Sequence, residues 1–288
     1  MKKTSEQKSP LISAVELTAL MAEQKVVLID ARAGADAKKR YAEGHLEGAI
    51  HVDLEKDLSQ PIADASKGGR HPLPPVKGFT ALLGKLGIDP SAHVVVYDDK
   101  AGANAAARFW WMLRSLGHEN VQVLDGGLAA AVKEGLKATD VVIDPVAKPA
   151  YPADKWKLPM VDINKVEEVV TDPAWMVIDV REAYRYHGES EPIDLTAGHI
   201  PGAVNIPYPG NLDSEGNFLS AGELADKYKN AIGDRETDHI IVHCGSGVTA
   251  CHTLLAMEQA GITGAQLYVG SWSEWSRTER PVATGTGS

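Results

Sequence analysis

The stretch His239-Ile240-Ile241-Val242-His243-Cys244-Gly245-Ser246-Gly247-Val248-Thr249-Ala250-Cys251 carries the reading of this chain. An apolar, β-branched run stops at a cysteine, and two glycines follow within three residues. A helical pattern then runs from Thr249 through Gly261, with Leu254, Leu255 and Met257 as apolar members. Strand, tight loop and helix in that order place the cysteine at the turn. Such a loop points successive backbone N–H groups inward, and the start of the helix adds partial positive charge. An anion is what this geometry stabilises, so the thiol is expected as its thiolate and Cys244 reads as a nucleophile. The amides of Gly245, Ser246, Gly247, Val248 and Thr249 are placed to cradle a bound anion. The hydroxyls of Ser246 and Thr249 can add hydrogen bonds, and Thr249 also sits where a helix cap belongs. Cys251 falls within the helix and reads as a core cysteine.

Working outward, the chain echoes itself. Val26-Val-Leu-Ile-Asp30-Ala-Arg32 followed by Gly44-His45-Leu-Glu-Gly48-Ala49 returns as Met176-Val-Ile-Asp179-Val-Arg181 followed by Gly198-His199-Ile-Pro-Gly202-Ala203. Helical patterns precede these strands over Ser13–Glu23 and Asp162–Val170, and Ser13 with Glu16 has capping-box spacing. Buried-type strands follow at Val94–Tyr97 and Ile240–His243, then shorter ones at Val121–Leu124 and Ala265–Tyr268. The offset stays near 150 residues, which marks a duplication. Short apolar strands alternating with helices imply parallel βα units. The expected fold is α/β: two tandem domains, each a mostly parallel central sheet flanked by helices. Boundaries are expected at 9–138 and 159–284. The stretch 139–158, with Pro145, Pro149 and Pro152, reads as the linker.

Bulk properties exclude several classes. The 288 residues carry a formal net charge of −10. This argues against nonspecific nucleic-acid or anionic-membrane binding. Two cysteines seven residues apart, one of them in a helix, are too far apart for a disulfide and fit a reducing cytoplasm. The Met1-Lys2-Lys3 start resembles a secretion signal. The apolar segment Leu11–Met21 is broken by Glu16, however, and reads as an amphipathic first helix. No run is long enough to span a membrane. The tail from Gly285 onward is expected to fray. His239 and His243 have the four-residue spacing of a helical metal pair. On the strand they bracket, they would stand about 13 Å apart, and no metal site is assigned. No nucleotide-binding glycine loop is present.

The paired Asp-x-Arg strand ends, the two Gly-His-x-x-Gly-Ala segments and the cysteine loop together resemble the rhodanese family of sulfurtransferases in its two-domain form. The resemblance covers about Leu11 to Val282. The loop Cys244-Gly-Ser-Gly-Val-Thr249 looks like that of the 3-mercaptopyruvate sulfurtransferase branch, because it lacks the basic residues of thiosulfate-preferring members. Asp98 stands where Cys244 stands in the repeat, so the resemblance implies one catalytic domain, the second, with the first as a wall of the cleft. It further implies a sulfane sulfur passing from a small donor through a Cys244 persulfide to cyanide, a thiol or a carrier thioredoxin, with no external cofactor. A monomer or weak homodimer is expected. Arg185 matches the family's arginine for the donor carboxylate or sulfonate. Asp53 and His71 match an Asp–His pair that reaches Ser246 from across the cleft and supplies a proton to the departing enolate. Arg70 is a further candidate for anion attraction. The branch's second carboxylate-binding arginine, after a Glu-Pro pair, is missing: the sequence reads Glu191-Pro192-Ile193. Losing one charged hydrogen-bond partner weakens carboxylate binding by about 1.5–3 kcal/mol, which leaves thiosulfate as the alternative donor.

Residues that invite other readings resolve as follows. Arg181 reads as holding the loop around Asp179. His45 and His199 recur in both repeats and read as structural. His243 points to the opposite side of the strand from Cys244. Trp272 is expected at the cleft mouth and Trp275 in the core. A cysteine phosphatase needs an arginine six positions after the cysteine, where this chain has Ala250. A noncatalytic persulfide carrier remains the third reading.

Overall fold

The structure, a computed structural model, describes residues 8–286, so Met1-Lys2-Lys3 and the last two residues of the tail lie outside it. Two five-stranded sheets frame the molecule. In the first, Leu11–Ile12, Val121–Leu124, His93–Tyr97, Val26–Asp30 and Ala49–His51 lie side by side in that order, all parallel. In the second, Met160–Val161, Gln266–Tyr268, Ile240–His243, Met176–Asp179 and Val204–Asn205 repeat the same order, again all parallel. The central strands His93–Tyr97 and Ile240–His243 are buried along their whole length. Burial on both faces is why their sequences run apolar without alternation.

Local chemistry sets the helix starts. The Ser13 hydroxyl accepts from the Glu16 amide, and the Glu16 carboxylate accepts from Ser13 N–H, so the capping box opens the helix Ala14–Glu23. Leu11 and Ile12 lie outside that helix. They form an edge strand against Val123 and Leu124, where their side chains are buried. Asp162 caps the matching helix Ile163–Val169 by accepting from Lys165 N–H.

Both repeats use the same clasp at the strand ends. Arg32 binds the Asp30 carboxylate and reaches the Gly44 carbonyl at 2.9 Å; Arg181 binds Asp179 and reaches the Gly198 carbonyl at 2.7 Å. His45 stacks on Tyr41 and donates Nδ1–H to the Tyr41 carbonyl at 2.7 Å. His199 does the same with Tyr186 at 2.8 Å. A ring nitrogen facing a carbonyl must carry the proton, which fixes the His199 tautomer; in His45 the other nitrogen, Nε2, also faces a carbonyl, that of Val141 at 3.2 Å.

The proline-rich connecting stretch follows the first repeat. Ala138–Thr139 pairs antiparallel with His45–Leu46. The amides of Lys148, Tyr151 and Lys157 donate to the carbonyls of Gly84, Thr80 and Ser115. The chain end is tied as well: Gly285 N–H donates to the His187 carbonyl at 2.8 Å, so fraying does not begin at Gly285. Among the described residues no helix is long and apolar enough to cross a membrane.

The two repeats meet through their equivalent helices, Ala106–Ser115 and Ala250–Gln259, each of which follows a central strand. One apolar cluster takes in Phe109, Trp110 and Trp111 from the first and Leu254, Leu255 and Met257 from the second. Trp272 lies in a separate core with Trp275, not at a cleft mouth. The Arg181 guanidinium covers its ring at 4.7 Å from the ring centre, and its indole N–H donates to the Thr196 carbonyl. Because the seam cluster is shared, Trp110→Ala is expected to cost about 3–5 kcal/mol. Urea unfolding followed by circular dichroism should shift to lower denaturant as one transition, without a separate early step for either repeat.

Candidate active site

Register places the cysteine. Asp30 lies opposite Tyr97 in the first sheet, and Asp179 lies opposite His243 in the second. Asp98 and Cys244 therefore leave equivalent strands at the same level, at the ends where ligands bind in parallel sheets. In the first repeat the Asp98 carboxylate accepts from the amides of Lys100, Gly102, Asn104 and Ala106 at 2.8, 2.8, 3.0 and 3.2 Å. The loop is thus an anion cradle, filled by its own side chain. In the second repeat the neighbouring helix start holds the loop's first residues. Cys244 N–H donates to Ser271 Oγ, and the carbonyls of Cys244 and Gly245 accept from the amides of Trp272 and Ser273. The amides of Gly245 through Thr249 find no acceptor among the described residues, which leaves them to whatever Cys244 carries.

Gly247 has φ +73°, and a Cβ there would stand 2.4 Å from the Val269 carbonyl oxygen. The loop turns there because only glycine fits. Val248 packs into the seam cluster. The Thr249 hydroxyl does not cap the helix. It donates to the Ala103 carbonyl of the first repeat at 3.3 Å, because the seam offers an acceptor and the helix residue Thr249 is already helical in φ and ψ. The Cys251 thiol donates to the Gly247 carbonyl at 3.4 Å, and burial pushes it up to about 12. Cys244 and Cys251 are both free thiols. His243 bonds to the backbone at Cys244 and faces Asp179, away from the loop. His239 stacks on Trp175.

The first repeat reaches into this loop. His71 Nδ1 lies 2.7 Å from Ser246 Oγ, and its Nε2 lies 2.9 Å from Glu55. A carboxylate only accepts, so Nε2 carries the proton and Ser246 O–H donates to Nδ1. Burial pushes the His71 imidazole below the ordinary histidine range, with Glu55 pulling the other way. Asp53 is not the partner of His71. Its carboxylate accepts from the amides of Glu55 and Lys56, capping the turn that swings Glu55 toward the imidazole. Arg108, fully buried on the seam helix, donates to the carbonyls of His71 and Gly247 at 3.0 and 3.2 Å and so ties the relay to the loop.

Arg185 is held over the loop by Glu191, which takes Nε and Nη2. Burial works against its charge, but Glu191, Asp194 and Glu182 outweigh it and raise the guanidinium above its usual range. A cavity of about 240 Å³ opens beside these groups, lined by Cys244, Gly245, Thr249, Arg185 and Ile193 and, from the first repeat, by Lys100, Ala103 and Asn104. The structure thus brings Cys244, Ser246, His71 and Arg185 around one loop and leaves Asp53 outside.

A family model described as "Rhodanese-like domain" matches residues 13–134 and 162–278. The chain belongs to the rhodanese family. Among its rhodanese relatives, a Pseudomonas aeruginosa protein named "Probable 3-mercaptopyruvate sulfurtransferase" is 39% identical over 285 residues, spanning 96% of this chain and 98% of that one. The thiosulfate sulfurtransferase of Gallus gallus is 35% identical over 85% of this chain and 83% of its own length. The solved 3-mercaptopyruvate sulfurtransferase from Leishmania major superposes with a TM-score of 0.80 at 28% identity, over 94% of this chain and 75% of that one.

Three site residues escaped the sequence reading. Glu55 stands two positions from Asp53, and only the turn decides which carboxylate meets His71. Arg108 carried a signal, a lone charge inside Ala106-Ala-Arg-Phe-Trp-Trp111. Asp194 carried none. Gly247→Ala is expected to cost about 1–3 kcal/mol more than Gly135→Ala, because both strain a positive φ but only the former meets backbone; Gly135 has open space around its Cβ position. Urea denaturation of the two variants measures the difference.

Proposed function

We propose that this rhodanese-family chain is a sulfurtransferase moving a sulfane sulfur from 3-mercaptopyruvate, ahead of thiosulfate, through a Cys244 persulfide to cyanide or a thiol acceptor such as a thioredoxin. The supporting observation is the pair of matched loops: amides that converge on the Asp98 carboxylate in one repeat surround a thiol in the other. The Cys244 thiolate attacks the donor's sulfur, the carbon–sulfur bond breaks, and its electron pair leaves on the enolate of pyruvate. The proton lost from the donor's thiol ends on the methyl carbon of pyruvate. Ser246, backed by His71 and Glu55, is the group placed to carry it. The persulfide anion rests on the amides of Gly245 through Thr249. An acceptor then attacks the outer sulfur and returns the thiolate. Arg185 holds the carboxylate of the donor.

Thiosulfate is the second reading, and the apolar Ile193 on the cavity wall favours it. Thiosulfate releases sulfite, which needs no proton at carbon, so the two donors separate the roles. Cys244→Ser should abolish transfer to cyanide from both. Ser246→Ala should lower kcat with mercaptopyruvate by about 10²–10⁴-fold and leave thiosulfate turnover nearly unchanged. Equal turnover of both donors by the Cys244→Ser variant and wild type would overturn the reading.

A pH profile gives a further check. Burial holds His71 neutral to a more acidic pH than a free imidazole. The acid limb of kcat with mercaptopyruvate should therefore fall below about pH 6.5, and His71→Asn should be slow and lack that limb. A limb centred above that value would contradict the assignment.

A further inference from the structure

We propose that Lys100, carried by the first repeat, serves the acceptor half of the reaction: its ammonium draws in a small thiol as the thiolate and brings it to the outer sulfur of the Cys244 persulfide. This rests on the persulfide reading given above. Both repeats build the cavity beside Cys244. The second supplies Cys244, Gly245, Thr249 and Arg185, and the first supplies Lys100, Ala103 and Asn104 from the loop after its central strand. That loop is held from several sides. The Asp98 carboxylate accepts from the amides of Lys100 and Asn104 at 2.8 and 3.0 Å, so one buried group pins both backbones. The Asp98 carbonyl accepts from Leu128 N–H at 3.0 Å, and a Cβ on Gly127 would stand 2.4 Å from its oxygen. The Lys100 carbonyl accepts from Ala103 N–H at 2.9 Å, and the Ala103 carbonyl takes the Thr249 hydroxyl of the other repeat. Ala101, between them, sits at φ +52°, a left-handed conformation that a residue with a Cβ keeps only where its surroundings impose it. The aspartate that stands in place of a second cysteine thus fixes where Lys100 leaves the backbone.

Three cations line the cavity, Lys100, Arg181 and Arg185. Arg181 is bound to Asp179 and Glu191, and Arg185 to Glu191. Lys100 makes no ion pair among the described residues. The acids next to it in the chain are already engaged, Asp99 by Arg40 and Asp98 by four amides. The acid on the cavity wall, Glu182, lies 3.9 Å from Arg185 Nη1. The chain as a whole carries a formal charge of −10, which repels an incoming anion. The acceptor half of the reaction brings one anion onto another. The acceptor thiol gives its proton to solvent, and its sulfur bonds to the outer sulfur of the persulfide. The bond from that sulfur to Cys244 Sγ breaks, and its electron pair stays on Cys244 as the thiolate. The acceptor leaves as a persulfide anion, and no oxidant or reductant is consumed. Backbone amides face the charge on the Cys244 side, and the approaching charge needs a cation that is not already paired. Lys100 is exposed, and a compact ammonium on a flexible stem suits a single sulfur anion, whereas a planar guanidinium suits a carboxylate.

The test is steady-state sulfur transfer from mercaptopyruvate to 2-mercaptoethanol by the full chain, as wild type, Lys100→Gln, Lys100→Glu and Lys100→Arg. In a double displacement, kcat/KM for the donor and kcat/KM for the acceptor report separate half-reactions. In Lys100→Gln the value for 2-mercaptoethanol should fall about fivefold, the worth of one charge a few ångströms away in water. Lys100→Glu should fall further, and Lys100→Arg should keep most of the wild-type value. The value for mercaptopyruvate should stay within about twofold in all three. Added salt should lower the wild-type value for 2-mercaptoethanol, and Lys100→Gln should respond less. An unchanged kcat/KM for 2-mercaptoethanol in Lys100→Gln would overturn this proposal alone. Equal falls for donor and acceptor would make Lys100 a general attractor of anions and also overturn it. Intact mass after incubation with mercaptopyruvate, and separately with thiosulfate, reports the persulfide on Cys244. Its absence with both donors would overturn the sulfur-transfer reading and this proposal together.

Discussion

Everything in the site depends on the contact of Arg108 with the carbonyls of His71 and Gly247. This guanidinium is buried between the repeats, and among the described residues no carboxylate pairs with it. A buried cation without a counter-ion is costly. Burial pulls its charge down, while the sulfurs of Cys251 and Cys244 hold it up. The same side chain fixes the distance between the Cys244 loop and His71. Seam stability and site chemistry are set by one interaction.

The duplication explains how one site came to need two repeats. Both keep the Asp–Arg clasp, the histidine stacked on tyrosine, and the strand order. They differ where it matters for chemistry. The Asp98 carboxylate fills its own loop and accepts from four of its amides. Cys244 leaves the amides of Gly245 through Thr249 without an acceptor among the described residues. The first repeat contributes Glu55, His71, Arg70 and the Thr249 acceptor at Ala103 to the other's cleft.

Much of this was written locally. The strand that ends in Cys244, the two glycines and the helix behind them are neighbours in sequence, and an unbroken apolar run, a glycine turn and a helical run report them directly. The helix caps at Ser13 and Asp162, the Asp-x-Arg clasps and the stacked histidines also lie within a few turns of chain. Trp272 went astray because an aromatic near a loop reads alike whether it faces a cleft or a core; the Arg181 guanidinium above it settles the matter.

The sequence by itself determined the parallel α/β repeats, the place of Cys244 at the end of a central strand and the aspartate that stands there in the first repeat. Tertiary structure alone decided which groups converge on the Cys244 loop. His71 meets Ser246 across 175 positions and Arg70 meets Asp194 across 124, and no periodicity encodes such distances. The choice of Glu55 over Asp53 is finer still. Two carboxylates two positions apart are alike by composition, and only the turn that Asp53 caps aims Glu55 at the imidazole. Long-range pairing of this kind follows from how the two repeats pack, and packing is a property of surfaces that the chain creates only once it has folded.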